Sequence, residues 1–249
     1  MKKINALHIY DYVKFVLRTA AFIITFISYV LGRLKKSPKL FNGLEKHSLF
    51  WAAIWIVLFI EMLIRFFPSR LHYIGSQKQL KKNYLPKSDA PTPKRKYRGV
   101  VAFGIVWVSV NLIFGILYLT EILDAGLMTL LVLAYSVCDM ICIVFFCPIR
   151  DIFMKNRCCT DCRIYNWDYA MMFTPFIFLP HIYTWSLLSV SLALLAVWEI
   201  TAARHPERFD EACNASLECR NCTNKPCRHK RRLQRTARRG AKAKELLHK

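Results

Sequence analysis

The chain has 249 residues, 55% of them hydrophobic, yet it carries 37 Lys and Arg against 16 Asp and Glu, a formal charge of +21. Such apolar content excludes a disordered chain, and only 8 Gly and 10 Pro exclude collagen-like and low-complexity classes. Apolar residues and charges fall in separate long blocks, which argues against a simple soluble enzyme and for residence in a membrane.

A membrane-crossing helix needs roughly 20 mostly apolar residues at about 1.5 Å rise each. The first apolar run, 19–32, is short, but a helical pattern extends it back to Tyr10. Lys14 and Arg18 are then expected to snorkel to the headgroups. Residues 48–67 predict a second crossing, with Glu61 and Arg65 paired at i,i+4 and Pro68 as the stop. Residues 99–120 carry no formal charge, and 126–149 carry one, Asp139. The uncharged run 169–198 is too long for one crossing and short for two, and Pro175, Pro180 and His181 interrupt it. Taking in 164–168 gives a crossing over 164–182 and a return over 183–203. One long, Pro-kinked helix is the competing reading.

Loop charge separates the two. With five crossings, Lys and Arg divide 17 against 19 between the two sides; with six they divide 31 against 5. The second division follows the positive-inside bias. The predicted fold is an all-α integral membrane protein of six helices, five in the competing reading. Residues 1–203 form the membrane domain and 204–249 a basic, Cys-rich tail. Both ends lie on the cytoplasmic side of the cell membrane. Arg33, Lys35 and Lys36 follow the first apolar run without a small-residue cleavage site, so that segment is expected to be retained.

The linker 69–98 combines Pro86, Pro91 and Pro93 with the Lys94-Arg95-Lys96 run. Proline opposes a continuous helix and charge opposes burial, so a solvated cytoplasmic loop is expected. Docking on anionic lipid headgroups is the functional alternative, at about 1 kcal/mol per basic residue near the surface. The tail is equally basic, but Phe209 is its one aromatic residue. That poverty of stacking side chains argues against nucleic acid as a partner.

All ten cysteines lie after residue 137: three in the fourth apolar block, three in the loop 150–168, and four in the tail. Cys159-Thr160-Asp161-Cys162 and Cys219-Arg220-Asn221-Cys222 are C-x-x-C pairs, with Cys158 and Cys227 alongside. A two-residue spacer lets both thiolates reach one ion. Six crossings put both groups on one side, where they can form a shared metal site; five keep them apart. An iron–sulfur cluster uses four such ligands, as does a closed zinc site. The surplus of thiols and the absence of zinc-ribbon glycines favour the cluster. Redox-active dithiols are the third reading.

The expected role is a membrane-anchored electron-transfer component with a redox partner in the membrane. A scaffold or regulator with a structural zinc site and a thiol oxidoreductase are the alternatives. Polar residues inside apolar spans are costly and tend to have a role. Asp139 and Asn111 are expected to make interhelical hydrogen bonds, or, for Asp139, to relay protons or contact a quinone. His181 is placed at the turn of the last hairpin. Asn214-Ala215-Ser216 matches a glycosylation acceptor that only a lumenal tail would use. Arg204-His205-Pro206 resembles, over three residues, the Arg-His-Pro element of membrane-bound isoprenylcysteine-type methyltransferases, which implies a remote methyltransferase alternative. Nucleotide-binding loops and the common hydrolase motifs are absent from the sequence.

Overall fold

The computed structural model describes residues 6–34, 48–67, 77–87, 91–93, 97–154, 162–218 and 221. Among the described residues six α-helices form: α1 (Ala6–Leu34), α2 (Ser48–Phe66), α3 (Arg98–Leu119), α4 (Ala125–Val144), α5 (Asp168–Phe173) and α6 (Ile182–Arg204). No strand occurs among the same residues. Four stretches among them, within α1, α3, α4 and α6, are long and apolar enough to cross a bilayer. Their outer faces expose large side chains such as Ile24, Ile105, Ile113 and Ile200. An apolar surface of that extent is stable against lipid and not against water.

Helices α1 and α4 run antiparallel. At one end Tyr12 and Phe15 meet Phe145 edge-on, with centroids 6.4 and 5.5 Å apart. At the other, Tyr29 and Arg33 donate to the Asp124 carboxylate at 3.0 and 2.6 Å. Asp124 also caps α4, accepting from the Leu127 amide at 2.8 Å. Helices α2 and α6 run parallel, pinned where the Trp55 indole donates to Ser186 Oγ at 2.9 Å. The turn between α3 and α4 is tight enough to hold Glu121 at φ 61°, a left-handed conformation that suits glycine.

Between α4 and α6 the chain does not continue as one long helix. It forms a 3-10 turn (Tyr165–Trp167), α5, and a second 3-10 turn (Thr174–Phe178). Pro175 enters that second turn near its start, where its missing amide breaks the hydrogen-bond ladder of a continuing helix. His181 then caps α6, its ring nitrogen accepting from the Tyr183 amide at 3.4 Å. The irregular segment starts beside the C-terminal end of α6, where Arg163 pairs with Glu199, and ends at its N-terminal end, where Leu179 accepts from Thr184. It therefore runs the length of α6, about 25 Å. Tyr169, Phe173 and Phe176 stack along it, with centroids 6.2 and 5.6 Å apart. All three lie in the main apolar core with Met62, Val132 and Leu187. Gly115 of α3 makes room for it, since a Cβ there would overlap the Phe178 ring.

The linker after α2 and the tail after α6 meet at one end of the bundle. Lys87 donates its amide to Cys213 O at 3.2 Å, and Ala215 donates to Leu85 O at 2.9 Å. Asn214 is the junction and is fully buried. Its Oδ1 accepts from Leu85 N and from the Ser216 amide and hydroxyl, while its Nδ2 donates to Lys78 O and Arg208 O. An amide so enclosed is no glycosylation acceptor. The expectation that charge keeps the linker solvated fails at Lys78, only 6% exposed, because the folded tail covers it.

Candidate functional site: a buried ion-pair network beside a thiol-lined chamber

Among the described residues, six charged side chains and Tyr169, from four helices, converge inside the bundle, toward the end that carries the linker and tail. Arg18 of α1 lies between Glu61 of α2 at 3.1 Å and Asp139 of α4 at 3.2 Å. Lys14 reaches Glu61 at 2.9 Å. Arg65 of α2 holds Asp168, the first residue of α5, through both guanidinium nitrogens at 2.7 Å. Tyr169 sits at the centre, donating its hydroxyl to Glu61 at 2.5 Å, with the Arg65 guanidinium 4.4 Å from its ring centroid. Three cations face three carboxylates, so the set is formally neutral. That balance is what makes burial tolerable, because an unpaired charge in a low-dielectric interior costs several kcal/mol.

Two sequence expectations are corrected here. Lys14 and Arg18 do not snorkel to headgroups; they turn into the bundle, where partners from α2 and α4 are closer than bulk solvent. Glu61 and Arg65 do not pair with each other along α2. Each finds a partner on another helix: Glu61 on α1, Arg65 on α5. Asp139 bonds between helices as expected, to Arg18. Asn111 does so only weakly: its Nδ2 donates to Trp107 O of its own helix at 2.9 Å, and Tyr135 approaches its Oδ1 at 3.5 Å. His181 is a helix cap stacked on Tyr183, centroids 5.3 Å apart.

Asp139 and Asp168 also border a chamber of about 260 Å³ between α3, α4 and the segment 162–172. Its walls are mostly apolar, with Trp107, Tyr135, Ile143, Met171 and Met172 among them. Four cysteines line it: Cys138 and Cys142 from one face of α4, Cys147, and Cys162. The sequence places Cys138 and Cys142 at i,i+4 on one face of the fourth apolar block, beside Asp139, and gives them no ligand role. That spacing was the available signal, but the wall opposite them comes from residues some 20–30 positions later.

Of the proposed metal ligands, Cys162 is described and is buried at 5% exposure. Cys158, Cys159, Cys219, Cys222 and Cys227 lie outside the described residues. Among the described residues no three His, Cys, Asp or Glu side chains converge closely enough to hold a metal ion. Cys213 donates to Pro91 O at 3.2 Å, and burial together with Asp210 and Glu207 pushes its thiol above the usual range. It is a structural residue at the junction.

The backbone around Cys162 is clamped in place. Arg163 forms a two-pronged pair with Glu199 at 2.7 and 2.5 Å, and the Trp167 indole donates to the same carboxylate at 2.7 Å. Trp198 of α6 donates to Arg163 O at 2.8 Å. The Arg163 guanidinium also lies 5.2 Å from the Phe209 ring centroid, joining the cysteine loop to the start of the tail. Asn221, between Cys219 and Cys222, donates to Ala215 O at 2.7 Å on the same platform. His205 closes α6 and contacts Glu207 at 3.1 Å, so the Arg204-His205-Pro206 element sits at the helix end, outside the chamber wall.

No family model matches the chain, and no curated protein and no solved structure shows significant similarity to it.

Proposed function

We propose that this chain is a membrane-integral redox protein that crosses the bilayer six times, with both ends on the cytoplasmic side of the cell membrane. The irregular segment 165–181 is the fifth crossing, and α2 is the second. Linker and tail then share the basic side. The charge bias survives when Lys14 and Arg18 are removed from the count as buried residues.

The observation that supports the redox reading is the contact between the end of the cysteine loop and the start of the tail. Arg163, next to Cys162, stacks on Phe209 of the tail, and Asn221, inside the tail's C-x-x-C pair, is bonded to the folded junction. Cys162 of the loop and Asn221 of the tail thereby lie at the same end of the bundle, which supports a shared site. Thiolates are the donors of choice for an iron–sulfur cluster, which would supply one-electron transfer there. Cys158, Cys159, Cys162, Cys219, Cys222 and Cys227 are its candidate ligands.

A second reading is a scaffold in which the same thiols hold a structural zinc ion. It is favoured by the extent to which Asn214 already ties the tail to the linker. Anaerobic purification of the full chain, with metal analysis and a visible spectrum, separates the two. Brown protein with iron and acid-labile sulfide is the expected result. Colourless protein with one zinc per chain supports the scaffold and overturns the cluster.

A further inference from the structure

We infer that the thiol-lined chamber binds the ring of a neutral, lipid-soluble quinone. The inference rests on the redox reading for its role, but the binding is argued from the chamber itself.

Charge selects first. The charged groups on the wall are already paired: Asp139 with Arg18, Asp168 with Arg65, and Arg150 with Asp151. A cation in the chamber would compete with Arg18 and Arg65, and an anion would face both carboxylates and compete with Asp151 for Arg150. A neutral ligand disturbs none of these pairs. Shape and surface select next. Trp107 and Tyr135 lie with their centroids 4.7 Å apart on the wall, and Met171 and Met172 supply polarisable sulfur, so the surroundings suit a flat ring. A volume of about 260 Å³ holds one or two fused rings and not a large amphiphile.

The route of entry selects last. Cys138 lines the chamber and is itself exposed, within an apolar helix long enough to cross the membrane, so the chamber is open at a helix that lipid can cover. The chamber is therefore reached sideways from the bilayer, which admits a molecule dissolved in lipid. A ring seated there lies beside Cys162 of the cysteine loop, with Asp139 and Asp168 as hydrogen-bond acceptors for the reduced, hydroxyl form.

The test uses full-length protein in lipid nanodiscs titrated with duroquinone, a tailless quinone whose ring positions are all methylated, so that the wall thiols have no open carbon to add to. Saturable quenching of tryptophan fluorescence and a rise in melting temperature are expected. Cys142→Phe fills the chamber and should weaken binding by roughly tenfold or more. Ser189→Phe, at the far end of α6, should leave it unchanged. If Cys142→Phe fails to fold, Met171→Trp serves as the filling variant. Quenching that never saturates, or that is equal in the filled variant, overturns the proposal. So does tighter binding of tetraphenylphosphonium, a lipophilic cation, at the same site. Metal content and the visible spectrum are recorded on the same samples. Lost quinone binding with an intact cluster refutes the chamber alone, and quinone binding without iron refutes the cluster alone.

Discussion

Helix α3 and the segment 165–178 are opposite solutions to packing apolar backbone in a helical bundle. Helix α3 is long, regular and apolar throughout, and much of its surface faces outward. The segment is broken by two 3-10 turns, yet Tyr169 and Phe173 in it are among the most enclosed side chains in the protein. Lipid cannot satisfy a free amide or carbonyl, so an exposed crossing must be an unbroken helix. Irregular backbone is permitted only where protein surrounds it. The contrast also sorts the polar groups: the chamber and the ion pairs gather around the irregular segment, while α3 provides one wall of the chamber.

The largest expected effect breaks the segment's anchor. Asp168→Ala leaves Arg65 buried without its carboxylate and should cost about 3–5 kcal/mol. Size-exclusion chromatography should lose the monodisperse peak, and the double variant with Arg65→Ala should recover part of it. Full stability in Asp168→Ala alone would mean that the pair is not enclosed as described.

Next is the contact between the two regions. Gly115→Val drives a side chain into Phe178 and should cost about 1–3 kcal/mol, read as a lower melting temperature. Phe178→Ala in the same chain should relieve that clash, so the combined loss should be smaller than the sum.

Asn214→Ala tests the junction beneath the bundle. It removes the side chain that satisfies Leu85, Lys78 and Arg208, at about 1–3 kcal/mol. Limited proteolysis should cut the tail faster, while the membrane helices keep their melting temperature. The Cys213 thiol, buried at the same junction, should react slowly with maleimide in the native protein and become reactive in this variant. Because burial raises its pKa, its labelling should also need higher pH than an ordinary thiol.

The smallest effects belong to the regular region. Ile113→Ala, on the outward face of α3, should change stability by no more than about 0.5 kcal/mol. Glu121→Gly, in the turn that ends α3, should raise it by about 1 kcal/mol by relieving the left-handed backbone. A large loss from Ile113→Ala would show that α3 packs against something other than lipid.

Much of this was legible from residue order. Length and hydropathy located α1, α3, α4 and α6, because a crossing has to be long and apolar wherever it packs. Asp139 stood out as the one charge in its block, and it does bond between helices. The cysteine groups were visible as spacings. Lys14, Arg18, Glu61 and Arg65 were misread for a common reason. Rules of snorkelling and i,i+4 pairing consider one helix and its solvent, whereas these four take partners on other helices. Pro175 marked a break in the last apolar block, but nothing local said that the broken piece would lie at the centre.

Sequence alone thus determined that the chain is helical, apolar and strongly basic at its connections, because those properties are sums over neighbouring residues. Tertiary structure decided which charges are buried, which cysteines border a chamber, and that linker and tail meet. Those outcomes depend on pairs of residues 40 to 140 positions apart, such as Arg18 with Glu61 and Lys78 with Asn214. Only the packing of helices brings such pairs within hydrogen-bonding distance.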